Sequence, residues 1–565
     1  MKEHLAGMDC FPDKAQYRKG EPVGILLSAK KPDQIIEVDF CVMELDRILF
    51  QNKVTAKELT DGPMVYRWNL ELPVGNYGVD VKVICTDGTV YLHTACDVVE
   101  SCDSMIRYGF LTDFSQEDKE DDSDIYYALK LHLNALQFYD WMYRHDKLVA
   151  QEEEYLEPLG RKLSLQAIKN KILLCKQYGI RPFAYGAVYA ASKEAFAEHP
   201  SWALYKQNQE VLSFADWLVF MDTSRDASWC SHIINEYANA VRQLGFQGIH
   251  MDTYGFPKFV YNDKQERISL AQTFPGMIKR AKQAVREIDE DAGVIFNAVN
   301  NWPSEWVAGS EQDAAYIEVW PPHVTYRHLY TLIREAKYLG AKQVILAAYM
   351  KPFQQAVTEE EIHSAENALL LTNAVILASG GSQLVFGETD SVLCDSYYVN
   401  YAKLREEFLP KVRSYCDFAV RYGKLLYDWN AMDISMTAAN GINEDIVFAS
   451  HSERALSFSS EGREGSIWTL IRESRSYLTI HMINLIQVGE EWNQPKPGLS
   501  DAVTGIEIDI LLDTKIKCVS MATPDDGSCT PIRLEYRTEQ RSNGQHVIIT
   551  IPKLAVWDMI WIEHS

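Results

Sequence analysis

The sequence has few features that would tie it to disulfides, metal ions or a membrane. Its eleven cysteines are scattered between positions 10 and 529, and no two of them form a Cys-x-x-Cys pair. This spacing predicts reduced, mostly buried thiols and argues against a disulfide framework or a zinc site. No run of about 18 apolar residues occurs, and the segment MKEHLAGMDCFPDK lacks the apolar core of a signal peptide. We therefore expect a cytoplasmic location, or secretion if the natural chain begins earlier.

Positive charge is also scarce. The chain has 55 Lys and Arg residues against 79 Asp and Glu residues, a formal net charge of −24 at pH 7. This excess of negative charge repels nucleic acid phosphates and anionic membranes, whereas it is common in soluble proteins that act on neutral ligands. We expect neither a nucleic acid nor a membrane as a partner, and the composition leaves the oligomeric state open.

Motifs for several other chemistries are missing. The sequence has no Walker phosphate loop, no Gly-x-Ser-x-Gly elbow, no Ser-His-Asp or Cys-His constellation and no metal-spaced histidines. We therefore expect activity without a metal ion or an organic cofactor. A structural Ca²⁺ ion held by carboxylates is the alternative that this pattern leaves open.

The two ends of the chain have the pattern of β-sandwiches. Residues 1–104 contain five short alternating runs separated by turn sequences such as KKPD, TDGP and PVGN, with no helix-length segment. Residues 431–565 again contain short strand-like runs, among them SIWTLIRES, YLTIHMINLI and HVIITIPK. Several strands at this spacing favour an immunoglobulin-like β-sandwich at the N-terminal end and a second β-sandwich at the C-terminal end.

Between these ends, residues 105–430 alternate eight times between an apolar strand and an amphipathic helix. The strand candidates are 107–114, 135–141, 181–189, 248–254, 293–299, 314–320, 343–350 and 382–388. Strands that alternate with helices require a parallel sheet, and eight such units predict a catalytic (β/α)₈ TIM barrel at the centre of a multidomain protein. An open doubly wound sheet is the alternative, but it usually carries a Gly-rich phosphate loop after its first strand. The segment YGFLTDFSQED is not such a loop.

Polar and aromatic residues occur where the barrel strands end. In this fold the reactive groups lie at the C-terminal ends of the strands. The residues at these predicted ends are Asp113, Gln137, Asp140, Trp141, Tyr185, Asp252, Asn297, Asn300, Glu318, Trp320, Tyr349 and Glu388. Amides and carboxylates beside Trp and Tyr rings suit a ligand with many hydroxyl groups and apolar C–H faces, which is a sugar.

Two of these carboxylates have the context of a glycosidase pair. Asp252 ends the fourth predicted strand, in GFQGIHMDTYG, and Glu318 ends the sixth, in AAYIEVWPP. Strands two apart on a barrel rim can place their side chains across a ligand, and glycoside hydrolysis needs one acid and one carboxylate. The apolar and aromatic residues around position 318 should desolvate Glu318 and favour its protonated form, as a general acid requires. The short side chain of Asp252 suits a nucleophile.

Structural roles are the alternative for several of these residues. Asp252 could cap the helix that follows it, and Asn297 and Asn300 could form a turn before Trp302. Glu388 could pair with a basic residue. The joint placement on strand ends favours the functional interpretation.

The sequence resembles glycoside hydrolase family 66, the endo-dextranases and cycloisomaltooligosaccharide glucanotransferases. The segments that carry the resemblance are DKAQYRKGEPV, RYGFLTDF, LQFYDWMYRHD, GFQGIHMDTYG and YIEVWP, spread over nearly the whole chain in the family's order of sandwich, barrel and sandwich. The resemblance implies a retaining mechanism on α-1,6-linked glucan, with Asp252 as the nucleophile and Glu318 as the acid/base. The predicted substrate-binding residues are Gln137, Asp140, Trp141, Tyr185, Asn297, Trp320 and Glu388, and the resemblance carries the first four.

Three functions follow as hypotheses. The first is a hydrolase that cleaves α-1,6 linkages of dextran or isomaltooligosaccharides. The second is a cyclising glucanotransferase, because a glycosyl-enzyme can be captured by water or by a sugar hydroxyl. The cyclising members carry an extra carbohydrate-binding module within the barrel, and no gap between the predicted strands has room for one, which favours hydrolysis. The third is a carbohydrate-binding protein without catalysis, and the presence of both acids argues against it.

Overall fold

Eight parallel strands form a nearly closed barrel at the centre of the protein. The computed structural model describes residues 7–60, 62–340, 342–451, 455–499, 502–512 and 514–565. The barrel strands are β1 (Tyr108–Leu111), β2 (Ala135–Phe138), β3 (Arg181–Ala187), β4 (Gly248–Asp252), β5 (Gly293–Val299), β6 (Ala315–Glu318), β7 (Val344–Ala347) and β8 (Ser382–Gln383). They pair in chain order. Between β8 and β1, the amide of Phe110 donates to the carbonyl of Phe386 at 3.2 Å. The predicted barrel is confirmed, with each strand inside its predicted segment.

A helix follows each strand, as the alternating pattern predicts. The helices are α1 (Ser123–Lys130), α2 (Leu165–Gln177), α3 (Ser228–Leu244), α4 (Leu270–Arg286), α5 (Ser304–Val307), α6 (Tyr326–Gly340), α7 (Glu359–Ala378) and α8 (Leu409–Arg421). Gly245 ends α3 with φ 86°, a left-handed conformation that glycine adopts without a side-chain clash. The chain can therefore turn sharply from α3 into β4. No helix among the described residues is long and apolar enough to cross a bilayer.

The strand β4 shows how the pattern of residues directs side chains. Ile249 and Met251 are fully buried in the large cluster that also contains helix residues. His250 points the other way, where its ring contacts Tyr108 and Tyr316. Side chains of a strand alternate between its two faces, so the apolar residues face the helices and His250 faces the barrel interior. Asp252 continues the inward series at the end of the strand.

Two sheets that share one hydrophobic cluster precede the barrel. Three strands, Met8–Pro12, Val23–Ala29 and Met64–Leu70, form one sheet; Tyr17–Arg18, Ile35–Glu44, Arg47–Thr55, Gly75–Cys85 and Gly88–Val99 form the other. Residues of both sheets contribute to the cluster. Two layers around one core are the arrangement of a sandwich. Its immunoglobulin-like character stays a prediction.

Two further sheets follow the barrel. The larger sheet contains Met432–Asp433, Phe458–Ser459, Ile467–Glu473, Tyr477–Asn484, Ile516–Ala522, Ile532–Arg533 and Trp557–His564. The smaller contains Ile446–Ser450, Ile506–Leu511, Tyr536–Arg541 and Gly544–Ile551. They also share a cluster of buried apolar residues. The predicted boundaries at 104/105 and 430/431 fall in loops between elements, and the division into three domains stays a prediction.

Buried ion pairs attach the N-terminal sheets to the barrel. Arg107, just before β1, donates to both carboxylate oxygens of Asp97 at 2.9 and 3.0 Å. Arg421, at the end of α8, contacts both oxygens of Asp80 at 2.7 and 3.0 Å. Bidentate Arg–carboxylate contacts fix orientation as well as position. The N-terminal sheets therefore have a defined place against the barrel.

Candidate active site

A cleft of about 770 Å³ opens at the C-terminal ends of the barrel strands. Asp252 and Glu318 lie in its lining, together with residues from the loops after β2, β3, β4, β5 and β6. The neighbouring strands β5 and β6 are paired with Val299 opposite Glu318, and β3 and β4 with Ala187 opposite Asp252. The pairing of Met251 with Phe296 places Asp252 beside Asn297, on the strand between the two acids. The two acids that the sequence separates by two strands therefore meet at one site.

One amide group bridges the two carboxylates. Nδ2 of Asn297, on the intervening strand β5, donates to Oδ1 of Asp252 at 2.8 Å and to Oε2 of Glu318 at 3.0 Å. These two oxygens are therefore at most about 5.8 Å apart, the sum of the two hydrogen-bond distances. That limit lies below the separation of about 6.5–9.5 Å found in inverting glycosidases and is compatible with the about 5–5.5 Å of retaining ones. The geometry is thus compatible with the shorter separation of a retaining pair.

Two tyrosines hold the remaining carboxylate oxygens. Tyr185, at the end of β3, donates its hydroxyl to Oδ2 of Asp252 at 2.8 Å. Tyr349, which follows β7, donates to Oε1 of Glu318 at 2.7 Å. Each of the four carboxylate oxygens therefore accepts a hydrogen bond from a neutral donor. Such contacts fix the orientation of both acids without supplying a positive charge.

The environment raises the pKa of both acids. Burial is the largest cause for Asp252, and the charge of Glu318 adds to it, so that its pKa rises to about 7 although Asn297 and Tyr185 oppose the shift. Burial also raises the pKa of Glu318, against hydrogen bonds from Asn297, Tyr349 and Trp320. Two carboxyl groups this close titrate as a pair, and they retain one proton after the first has left. A pair with one proton can provide one nucleophile and one acid at neutral pH.

The loops after β2 and β3 form one wall of the cleft. Asp140 lies there with a left-handed backbone, φ 46°, and its burial raises its pKa to about 7 although the guanidinium of Arg161 opposes the shift. His145 is buried beside Trp217, with ring centroids 5.5 Å apart. Burial lowers the pKa of His145 to about 3, so this imidazole is neutral at ordinary pH. This wall therefore combines polar groups with aromatic and apolar side chains, among them Phe214.

The structure separates the predicted binding residues into two groups. Asp140, Tyr185 and Trp320 line the cleft, and Asn297 contacts both acids from below it. Their roles in substrate binding stay predictions. Gln137, Trp141 and Glu388 do not belong to the lining that the described residues form.

The three residues outside the cleft have other surroundings. Trp141 is fully buried, and its indole N–H donates to the carbonyl of Tyr185 at 3.1 Å. Gln137 is 1% exposed on β2, whose neighbouring residues Leu136 and Phe138 face the helices, so its side chain points into the barrel. Glu388 accepts the backbone N–H groups of Thr112 and Asp113. Their roles in substrate binding also stay predictions, and the structure places them outside this lining.

Sequence reasoning also missed residues that the structure brings to the cleft. Tyr349 was among the predicted strand-end residues, but nothing in the sequence paired it with Glu318. Trp217 lies in the connection between β3 and α3, beside a turn at Ala215 and Asp216 with φ of 50° and 59°. Lys258 and Trp302 lie in the loops after β4 and β5. Such loop residues have no periodic pattern that would mark them as part of a site.

No group of three or more His, Cys, Asp or Glu side chains is arranged to hold a metal ion in the part of the chain that the structure describes. The donors around Asp252 and Glu318 are an amide, two phenols and the indole of Trp320, groups that can bind carboxylates or sugar hydroxyls.

Comparison with known proteins gives the family. The model of glycosyl hydrolase family 66 matches residues 12–561. The chain belongs to this family. Two relatives from Niallia circulans, both named cycloisomaltooligosaccharide glucanotransferase, are 22% and 21% identical to it; the matches cover 98% of this chain and 71% and 72% of theirs. The resemblance noted in the sequence is confirmed.

A solved structure has the same overall fold. The cycloisomaltooligosaccharide glucanotransferase of a Paenibacillus species, complexed with cycloisomaltoheptaose, superposes with a TM-score of 0.86 at 20% identity. The match covers 98% of this chain and 99% of the other. At this level of identity the likeness concerns the fold. It supports the barrel with additional sheets on both sides.

Proposed function

We propose that the protein is a retaining glycoside hydrolase that cleaves α-1,6-glucosidic linkages in dextran or isomaltooligosaccharides. The observation that carries the proposal is the pair of Asp252 and Glu318 bridged by the amide of Asn297, whose separation suits double displacement. Family membership supports the reaction class. The glucanotransferase relatives, one of them bound to cycloisomaltoheptaose, support an α-1,6-linked glucan as the substrate.

The proposed mechanism has two steps. Asp252 attacks the anomeric carbon, the bond from that carbon to the leaving oxygen breaks, and Glu318 gives its proton to that oxygen. In the second step a water molecule attacks the same carbon, its proton passes to the Glu318 carboxylate, and Asp252 leaves as a carboxylate. The anomeric configuration is inverted twice and is therefore retained.

The environment of Glu318 suits this change of role. Burial raises the pKa of Glu318 and so favours the proton that the first step needs. Once Asp252 has become an ester it carries no charge, and the three neutral donors around Glu318 then favour its ionised form. The acid of the first step can thus become the base of the second.

Cyclisation is the second candidate function, and the names of the relatives favour it. Two observations favour hydrolysis. The alignment with one relative runs over 712 positions although this chain has 565 residues, so the relative contains segments that this chain lacks. Within the described residues, the longest connection between consecutive barrel strands runs from 188 to 247 and is largely occupied by α3 and short strands. It has no room for the module that the cyclising members insert.

A product profile tests the proposal. Dextran, linear isomaltooligosaccharides and a cyclic isomaltooligosaccharide are incubated with the protein, and NMR records the first anomer released. Shorter linear products with the α-configuration are expected. Cyclic products from linear substrates would favour the glucanotransferase instead. A β-anomer as the first product would contradict the retaining mechanism, and binding without turnover would favour a carbohydrate-binding protein.

A further inference from the structure

One Lys or Arg side chain lies in the cleft lining that the described residues form, and it belongs to one wall. The wall formed by the loops after β2 and β3 combines Asp140 and His145 with aromatic and apolar side chains such as Trp217. The wall from the loops after β4, β5 and β6 presents the half-buried ring of Trp302 and the exposed side chain of Lys258. Aromatic rings on both walls can stack with sugars, but the second wall alone places this cation beside them.

Hydrogen bonds link the wall that carries Trp302 to the strand end at Glu318. The amide N–H of Asn300 donates to the backbone carbonyl of Glu318 at 2.7 Å. The side chain of Asn300 donates to the carbonyl of Pro321 at 2.9 Å and contacts Nδ1 of His323 at 2.7 Å. These contacts tie the β5 loop to the β6 loop, and Trp302 follows two residues after Asn300. Since the acid protonates the leaving oxygen, the leaving sugar lies on the side of Glu318 and thus along this wall.

A lysine occupies the face of Trp302. The ammonium nitrogen of Lys258 lies 3.5 Å from the centroid of the indole ring and donates to the carbonyl of Gly255 at 2.7 Å. A cation over an indole ring is attracted by the negative face of the ring. Because Lys258 and Trp302 both line the cleft, we assign sugar stacking to this covered face of the ring. Lys258 and an incoming sugar therefore compete for Trp302.

We propose that Lys258 and Trp302 form the acceptor site and decide whether water or a sugar resolves the glycosyl-enzyme. The inference rests on the proposed function. With Lys258 on the indole, a sugar acceptor stacks poorly and water attacks the anomeric carbon. When Lys258 moves aside, a sugar hydroxyl attacks that carbon: the new C–O bond forms, the ester bond to Asp252 breaks, and the hydroxyl proton passes to Glu318. Occupation of the Trp302 ring by Lys258 thus favours hydrolysis over transfer to a sugar.

The partition between transfer and hydrolysis tests this assignment. An isomaltooligosaccharide donor is incubated with rising concentrations of isomaltose, and the acceptor concentration at which half of the turnovers give transfer products is measured. In Lys258→Met this concentration should fall about 2- to 5-fold, which corresponds to the strength of an exposed cation–π contact. In Trp302→Ala it should rise, because the stacking surface is lost. Lys258→Arg should keep the wild-type value, since a guanidinium also covers the ring.

A double variant and a matched control make the result specific. In the double variant Lys258→Met/Trp302→Ala, the acceptor concentration for half transfer should equal that of Trp302→Ala alone. Lys337→Met removes a similar contact, 4.8 Å from the ring of Trp429 and outside the cleft, and should leave the partition unchanged. An unchanged partition in a folded Lys258→Met variant would overturn the assignment, as would a gain that persists without Trp302. If the wild-type protein cleaves no α-1,6 linkage, the proposed function itself fails.

Discussion

Two clusters of buried carboxyl groups lie at the C-terminal end of the barrel, and they differ in how their charge is balanced. In the first, Asp252 and Glu318 accept hydrogen bonds only from neutral groups, and neither has a Lys or Arg partner among the described residues. In the second, the ammonium group of Lys171 contacts the carboxylate of Asp124, beside Glu388. Buried charges are normally paired, so the first cluster is the unusual one.

The two aspartates consequently have pKa values shifted in opposite directions. Burial raises the pKa of Asp124, but Lys171 more than offsets this and the pKa falls to about 2. The pKa of Asp252 rises to about 7 through burial and the charge of Glu318. Burial also raises the pKa of Glu388 well above its ordinary value, and the charge of Lys171 opposes this shift. A carboxyl pair without a cation can exchange protons near neutral pH, whereas the ion pair of the second cluster cannot.

The largest expected effect is on kcat, which should fall in variants of the first cluster and change little in a variant of the second. Glu318→Gln should lower kcat by about 10²–10⁴-fold, the usual contribution of general acid–base catalysis. Asp252→Asn should lower it further, since the nucleophile is lost. Glu388→Gln is the matched control: the amide oxygen can still accept the backbone N–H groups of Thr112 and Asp113, so kcat should change little. Near wild-type turnover in a folded Glu318→Gln or Asp252→Asn variant would remove that residue from the mechanism.

The next effect concerns stability. Lys171→Met leaves the carboxylate of Asp124 buried without a cation, and breaking a buried ion pair in this way costs about 3–5 kcal/mol. Denaturant unfolding should record this loss in the free energy of unfolding. The surviving folded protein should retain the pH–rate profile of the wild type. A shift of that profile would mean that the second cluster takes part in the chemistry.

A smaller effect is an increase in the free energy of unfolding. Since the pKa of Asp252 is higher in the folded protein than in the unfolded chain, its burial lowers stability as the pH rises from about 4 to about 7. Asp252→Asn should remove this loss and stabilise the protein at pH 7 on the order of 1–2 kcal/mol, less than the full shift because the side chain is partly solvent-exposed. At pH 4 the gain should nearly vanish. Equal thermal unfolding of variant and wild type at pH 7 would contradict the raised pKa.

The smallest effect tests the hydrogen bond to Glu318. Tyr349→Phe removes a donor that stabilises the ionised form of Glu318, so its pKa should rise by about one unit. The basic limb of the pH–rate profile, where the acid loses its proton, should move to higher pH by the same amount. Tyr401→Phe removes a comparable donor, 2.8 Å from the carboxylate of Asp113 outside the cleft, and should not move the limb. A limb that stays in place in Tyr349→Phe would show that this contact does not set the pKa.

The sequence located the barrel strands well because their apolar runs are short, buried and regularly spaced. It placed Asp252 and Glu318 at strand ends for the same reason. It missed the strand Arg47–Thr55, whose residues are mostly exposed and therefore show no alternation between a buried and a solvent face. An alternation of buried and exposed residues can be recognised from neighbouring residues in the sequence, and this strand has none.

What the sequence by itself determined was the order of elements, the end of each barrel strand and hence the two acids. Only the tertiary structure decided which groups meet them. The contact of Asn297 with both carboxylates depends on the register of three strands, and that of Lys258 with Trp302 depends on two loops. Gln137 also lies near the end of a barrel strand, but its side chain points into the barrel interior and does not line the cleft. Depth along a barrel strand and contacts between separate loops arise only when the sheet closes, because no local periodicity encodes them.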